Sequence, residues 1–297
     1  MPQDPFFELK LVYDARAELG EGPVWDTRSE RLFWVDILAH RVHIHDPKQP
    51  LSESAIELSP YVSSVIPRLS GGIALTLQNG FYAYDSTSAE LKLLAEVEAS
   101  VPGNRFNDGK CDPVGRYLAG TMSMIDQPSM GTLYSLDADL TVKPLVTEVS
   151  VSNGMAWSAD GGTLYYIDTP TRQVVAFDYE LAAGAVSNRR IAVEIPEGQG
   201  SPDGMTIDSE GMLWVAHWGG WQVSRWDPAT GEKLLSIPVP ASQVTSCAFG
   251  GPDLDKLYIT TARVGLDEAK LADQPLAGGL FCAEIGVRGL PAVPFRG

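Results

Sequence analysis

Short runs of apolar and aromatic residues recur along the chain, each bounded by polar turn residues. They are LFWVD from Leu32, IALTL from Ile73, YLAGT from Tyr117, LYYID from Leu164, LWVAH from Leu213 and LYITT from Leu257. These anchors lie roughly 40 to 50 residues apart. Each is rich in β-branched and aromatic residues, and Gly-, Asp- or Ser-rich segments such as DTRSE, DPVG, SADGG and DSEG precede them, which is strand and turn chemistry. A second run follows each anchor: VHIHDP, FYAYDS, TLYSLDAD, VVAFDYE, VSRWDPATG and GLFCAEIG. The best helical pattern, GLDEAKLADQ, covers only about two turns. Six repeats of several strands predict an all-β chain folded as a six-bladed β-propeller. The anchors read as the innermost strands. The amino-terminal FFELKLVYDARA is expected to supply the strand that closes the last blade, giving one domain over residues 1–297.

Composition narrows what such a ring can bind. With 44% hydrophobic residues in 297, the chain has ample material for a large core. Its net charge of −16 would repel a phosphate backbone or an anionic membrane, so neither nucleic acid nor membrane is expected as a partner. Three cysteines, Cys111, Cys247 and Cys282, are too few for a disulfide framework and fit a reducing compartment. The segment MPQDPFFELK lacks the basic and apolar stretches of a signal peptide. A cytoplasmic location is the expectation, and a monomer is the simplest state for a closed ring.

The repeat also aligns polar residues. Glu21, Asn107, Asn153 and Asp203 each stand 10 or 11 residues before their anchors, with a glycine one or two positions later. Unit two offers only Ser63 and Ser64 at that place, and unit six Thr245-Ser246-Cys247. In a propeller such positions should meet around one mouth of the central channel. Asn-Gly and Asp-Gly pairs are ordinarily turn residues; four of them in register are better explained by a shared site. Two carboxylates and two amides, without thiol or imidazole, form a hard-oxygen set suited to Ca²⁺, Mg²⁺ or Mn²⁺.

The segments LGEGPVW (19–25), NRFNDGKCDPVGRYLAGTM (104–122), SNGMAWSADG (152–161), PDGMTID (202–208) and CAFGGPDLDKLYITTAR (247–263) resemble, in order and spacing, the gluconolactonase and regucalcin family, also called senescence marker proteins. The resemblance runs from about residue 12 to the end. It implies a six-bladed propeller with one divalent metal ion in the central channel (Ca²⁺, Zn²⁺, Mn²⁺, Mg²⁺ or Fe²⁺) and hydrolysis of a small-molecule sugar lactone. By that resemblance Glu21, Asn153 and Asp203 are the metal ligands, and Arg105 and Asn107 hold substrate. Asp203 is the candidate general base; because metal ligation would lower its pKa, the open alternative is that it orients the water while a metal-bound hydroxide attacks. Animal regucalcins carry a glutamate where this chain has Ile125 with Asp126 beside it, so the choice of sugar is expected to differ.

Other residues read differently. His43 and His45 alternate onto one face of a strand that aligns with FYAYD and VVAFD, read as second strands away from the axis, and are expected to be structural. His217, Trp218 and Trp221 should loop over a channel mouth, where the tryptophans could wall the pocket. Cys111 and Cys247 share no register with a histidine and should be inert. No G-x-S-x-G elbow exists. Two alternatives to a lactonase stay open: hydrolysis of a phosphotriester or other ester in the same pocket, and a non-catalytic calcium-binding propeller.

Overall fold

Among the described residues (8–49 and 54–297) of the computed structural model, 24 strands form six antiparallel four-stranded sheets. The inner strands of blades 1 to 6 are Gly20–Asp26, Ser64–Pro67, Asn104–Cys111, Ser152–Trp157, Ser201–Ile207 and Val244–Gly250. Each packs against the inner strands of both neighbouring blades, so the six close a ring around one axis. This is the six-bladed β-propeller that the repeats predict.

The anchors are the second strands, one place further from the axis than expected: Arg31–Asp36, Ile73–Leu77, Tyr117–Ser123, Thr163–Asp168, Leu213–Trp218 and Lys256–Thr261. Second strands are packed between neighbouring blades on both faces and therefore read as continuous apolar runs. The inner strands carry polar residues and glycines, which hide them from an apolar pattern. By the same shift, Arg41–His45 is a third strand rather than a second.

The blade closing the ring takes its outermost strand from the start of the chain. Leu9–Tyr13 pairs antiparallel with Leu280–Glu284, with Leu9 opposite Ala283 and Leu11 opposite Phe281. The strand lies within the amino-terminal segment expected to close the ring; Phe6 and Phe7 of that segment lie outside the described residues. The helical pattern yields one short helix, Glu268–Asp273, whose first turn is capped by the Asp267 carboxylate accepting from the Lys270 N–H at 2.8 Å.

The core sits between blades. Trp25, Leu32, Trp34, Tyr258 and Leu280 fill the gap between blades 1 and 6, with Trp25 stacked on Tyr258 at 6.1 Å and 8°. Trp214, Val223, Cys247, Ile259 and Phe281 fill the gap between blades 5 and 6. At about 25 cal/mol per Å² over roughly 150–250 Å², each buried tryptophan contributes about 4–6 kcal/mol before ordering entropy. The histidine strand belongs to this packing. His43 stacks on Trp34 at 4.1 Å, and burial pushes its pKa down to about 4, so it sits neutral in the core. His45 is 2% exposed, with the Tyr258 ring 6.1 Å away.

Near the axis, adjacent inner strands approach so closely that a side chain would collide. A Cβ on Gly204 would lie 2.1 Å from Ser246 Oγ and 2.4 Å from Ser246 Cβ; one on Gly154 would lie 2.6 Å from the Asp203 carbonyl oxygen. Gly204→Ala should therefore cost about 1–3 kcal/mol, seen as a lower Tm. Gly162→Ala, whose nearest neighbour would be 3.5 Å away in Asp160, should stay within about 0.5 kcal/mol of the parent.

Candidate active site

Each inner strand starts at one mouth of the channel, here the site mouth, and runs toward the far mouth. Glu21, Arg105, Asn153 and Asp203 all lie within the first three residues of their strands, and Asn107 in the fourth. They stand in the strands themselves, not in the loops entering them. In blades 1, 3, 4 and 5 the pairing of inner to second strand breaks at these residues: between Glu21 and Val24, Phe106 and Gly109, Ser152 and Met155, and Pro202 and Met205. A bulge re-aims the side chains on either side of it. Of the two blades that contribute none of the predicted residues, blade 2 pairs from Ser64 to Pro67 without a break, and blade 6 breaks between Val244 and Ser246.

Two of these strands are held at their entrance by the same device. Asp36, ending the second strand of blade 1, accepts the backbone N–H groups of Glu18 and Leu19 at 2.9 and 3.0 Å. Asp168, at the equivalent place in blade 4, accepts those of Ser150 and Val151 at 3.1 and 2.9 Å. The clamped residues lie three and two positions before Glu21 and Asn153.

All five predicted residues are buried, with exposures from 3% for Asn153 to 8% for Arg105. Burial raises the Glu21 pKa well above the carboxylate range, and the charges of Asp203 and Asp108 raise it further; the Gly22 N–H, donating at 2.9 Å, and Arg105 pull it back. Asp203 is raised by burial and by Asp108, and lowered by a hydrogen bond from Asn153, by the Gly204 N–H and by Arg105. Burial pulls Arg105 down to about 10 against the opposing pull of Glu21, Tyr61 and Asp203. These mutual effects bring Glu21, Arg105 and Asp203 within one electrostatic neighbourhood.

Hydrogen bonds fix the remaining members. Arg105 Nη1 donates to the Phe106 carbonyl and to Asn107 Oδ1, both at 2.8 Å, and Asn107 Nδ2 donates to the Ser152 carbonyl at 2.9 Å. Asn153 Nδ2 donates to Thr169 Oγ1 at 3.0 Å, while Asn153 Oδ1 is buried without a hydrogen-bond partner. An unpartnered buried amide oxygen is costly unless something else engages it. Beside two carboxylates that repel each other, it fits a divalent cation. Among the described residues no three His, Cys, Asp or Glu side chains form a metal cage, so a cation held here would draw on the amide oxygen as well.

Two residues were not foreseen. Asp108, 6% exposed, follows Asn107, and its charge reaches both Glu21 and Asp203. The bulge at 106–109 turns consecutive residues inward; the Asn-Asp-Gly triplet was its only trace in sequence. Tyr61, from the connection into blade 2, acts on Arg105 and has a left-handed backbone, φ 45°.

Of the residues set over the mouth, Trp218 pairs opposite Ser201 at the site end and packs against the cluster containing Leu19, Val62 and Ala262. Trp221 is 44% exposed and Ile125 73% exposed. His217 does not loop over the mouth. It closes the second strand fully buried, donating through Nδ1 to the Gln199 carbonyl at 2.7 Å and accepting from the Ser224 hydroxyl at Nε2. Cys111 and Cys247 are buried thiols, Cys247 pushed up to about 12 by desolvation, which makes it a poor nucleophile.

Two outcomes follow from this geometry. Asp168→Ala strands two backbone donors and should cost about 1–3 kcal/mol in chemical denaturation. Burial holds the His217 pKa down to about 4 against 6.5 when exposed. The unfolded chain therefore takes up a proton there as pH falls from 6.5 toward 4. His217 contributes its stability fully above that window and loses it within the window. The Tm gap between the parent and His217→Gln should be widest near pH 7.5 and shrink by pH 5.

Comparison with known proteins agrees with the fold read from the repeat. Residues 19–263 match the family model described as SMP-30/Gluconolactonase/LRE-like region. The protein named "Putative sugar lactone lactonase YvrE" of Bacillus subtilis (strain 168) is 42% identical over 287 residues, covering 97% of this chain and 98% of its own. Regucalcin of Bos taurus is 42% identical over 296 residues, covering 98% and 99%. Among solved structures, a calcium-binding regucalcin from Agrobacterium tumefaciens str. C58 superposes with a TM-score of 0.93 at 28% identity, covering 98% of both chains. A luciferin-regenerating enzyme does so at 0.89 and 32%, covering 98% of this chain and 100% of that one.

Proposed function

Since the chain belongs to the SMP-30/gluconolactonase/LRE-like family, we propose that it is a metal-dependent hydrolase of sugar lactones, with residues 1–297 acting as one propeller domain. The observation that carries this reading is the buried, unpartnered Asn153 Oδ1 beside the paired carboxylates Glu21 and Asp203, next to a guanidinium. Glu21, Asn153 and Asp203 would hold one divalent cation. When bound, it supplies Lewis acidity toward a lactone carbonyl and acidity to water.

The chain's own residues do the rest. Both protein hydrogen bonds of Arg105 use Nη1, leaving Nη2 and Nε to donate to the ring, carbonyl or hydroxyl oxygens of the substrate. Asn107 keeps Arg105 aimed and is itself pinned to blade 4. Asp203 takes the proton from the attacking water as the water oxygen bonds to the carbonyl carbon. It returns that proton to the ring oxygen as the C–O bond breaks, leaving the open hydroxy acid. The open-chain acid ionises at neutral pH, so turnover releases one proton. Ile125, standing exposed where animal regucalcins carry a glutamate, offers no acceptor for a sugar hydroxyl and would shift the preferred lactone.

Proton release in weak buffer near pH 7 tests the reading on a panel of aldonolactones. Activity should vanish after chelation and return with one of Ca²⁺, Zn²⁺, Mn²⁺, Mg²⁺ or Fe²⁺. Arg105→Ala, assayed with the same cation, should lower kcat/KM about 100-fold or more with a cooperative melt retained. Spontaneous rates on every lactone with cation demonstrably bound would instead favour a cation-binding propeller.

A further inference from the structure

The channel has a second end. Inner strands leave the site mouth and finish at the far mouth, where the carboxyl-terminal segment crosses from one side of the ring to the other. Ser209 N–H donates to the Arg288 carbonyl and Gly289 N–H to the Leu254 carbonyl, both at 2.8 Å, tying the segment to blades 5 and 6. On the opposite side, Phe295 N–H donates to the Pro67 carbonyl at 2.9 Å and Arg296 N–H to the Gly115 carbonyl at 3.1 Å, tying it to blades 2 and 3. Phe295 is fully buried as an anchor, its ring 6.1 Å from Tyr117.

Between these ties, Leu290–Val293 walls a cavity of about 180 Å³. Its other walls include Trp25, Trp157 and Phe249, and its polar lining includes Asp108, Lys110 and Ser246. None of Glu21, Arg105, Asn107, Asn153 or Asp203 lines it. The cavity lies beyond the candidate active site and touches it only through Asp108, whose charge reaches Glu21 and Asp203; the lactonase reading gives the cavity no role.

Its polar lining is unusual. Lys110 donates from Nζ to the Met205 carbonyl at 2.7 Å, which occupies one of three ammonium donors. Asp108 accepts the Gly109 N–H at 2.7 Å. Burial pushes Asp108 up and Lys110 down, and the attraction between an acid and a base of opposite sign offsets part of that cost for each. The lining therefore offers donors and acceptors but no net charge. A carboxylate brought in would face Asp108, and an ammonium or metal cation would face Lys110; neither would recover its desolvation cost. A wholly apolar guest would strip water from both charged groups and replace it with nothing. A neutral polar head can serve both, while the aromatic walls cover an apolar body. An engineered cavity of about 150 Å³ takes up benzene, so a six-membered ring with one substituent is of the right size.

We propose that the far mouth is a second binding site, for a small neutral molecule that joins an apolar ring or short chain to a hydroxyl or carbonyl head, seated between Trp25, Trp157 and Phe249 with its head on Lys110, Asp108 and Ser246.

Three probes with one body and different heads test this on the full-length protein by saturation-transfer NMR titration: cyclohexanol, cyclohexanecarboxylate and cyclohexylammonium. Cyclohexanol should bind saturably, and both ions at least about tenfold more weakly. Ala248→Leu, which fills the cavity from the inner strand of blade 6, should abolish the alcohol's binding. Ala292→Phe fills it from the crossing segment, outside every sheet, and gives the same test if the first variant does not fold. Absence of saturable alcohol binding overturns the proposal. So does an ion that binds as well as the alcohol, or alcohol binding that persists in a folded variant of either kind.

Discussion

The closeness with which neighbouring inner strands meet at the axis is the constraint on which the rest depends. Gly154 against the Asp203 backbone and Gly204 against Ser246 set that spacing, leaving no room for a β-carbon. Strands packed this tightly cannot keep regular pairing with their own sheets and also turn polar side chains inward, and a bulge in each of blades 1, 3, 4 and 5 resolves the conflict. The outcome is electrostatic. Out of water, the charges of Asp203 and Asp108 raise Glu21 and that of Asp108 raises Asp203, with Arg105 as partial compensation. The fold thus holds a concentration of buried carboxylates, and on the proposed reading the same geometry would favour capture of a cation. Stability and binding are two readings of one arrangement.

Much of this was legible in the chain. The repeat of apolar runs gave six blades because second strands are buried on both faces, so their composition is uniform. It misplaced those runs by one strand for a related reason: the innermost strands of blades 1, 3, 4 and 5 carry polar residues and glycines toward the axis, and that content masks them. Glu21, Asn107, Asn153 and Asp203 could still be aligned, because a hairpin of constant length keeps them a constant distance from the second strand wherever that strand sits. What depends on the bulge was not legible. Asp108 follows Asn107 immediately, and simple alternation would have turned it away from the axis. His217 resembled a loop residue because Gly219 and Gly220 follow it, whereas its ring is fixed by Gln199 and Ser224 from two other segments. Tyr61 belongs to a connection with no repeat to compare it against. The cavity at the far mouth is closed by Leu290–Val293, whose place over the channel follows from distant hydrogen bonds at both of its ends.

The paired aspartates show how the repeat serves the site without taking part in it. Asp36 and Asp168 occupy the same place in two blades and grip the same two backbone donors ahead of a site residue. Each converts the position of a stable, fully apolar strand into the position of a bulged, polar one. Thr169, directly after Asp168, extends this to the Asn153 side chain and determines which of its two polar atoms is left over.

Pairing Leu9–Tyr13 with Leu280–Glu284 has a consequence for how the molecule comes into being. A ribosome delivers the first of these strands long before its partner. For nearly the whole of that time an amino-terminal strand with Leu11 and Val12 has no partner edge. The inner strand bearing Glu21 likewise has only one of its two flanking blades, the other being the last to emerge. An interrupted translation product can thus stack several blades yet leave the ring gapped beside Glu21. Closure of the last blade is therefore read out at the axis itself, and a chain lacking it is left with an open edge that other chains, or the cell's proteolytic machinery, can recognise.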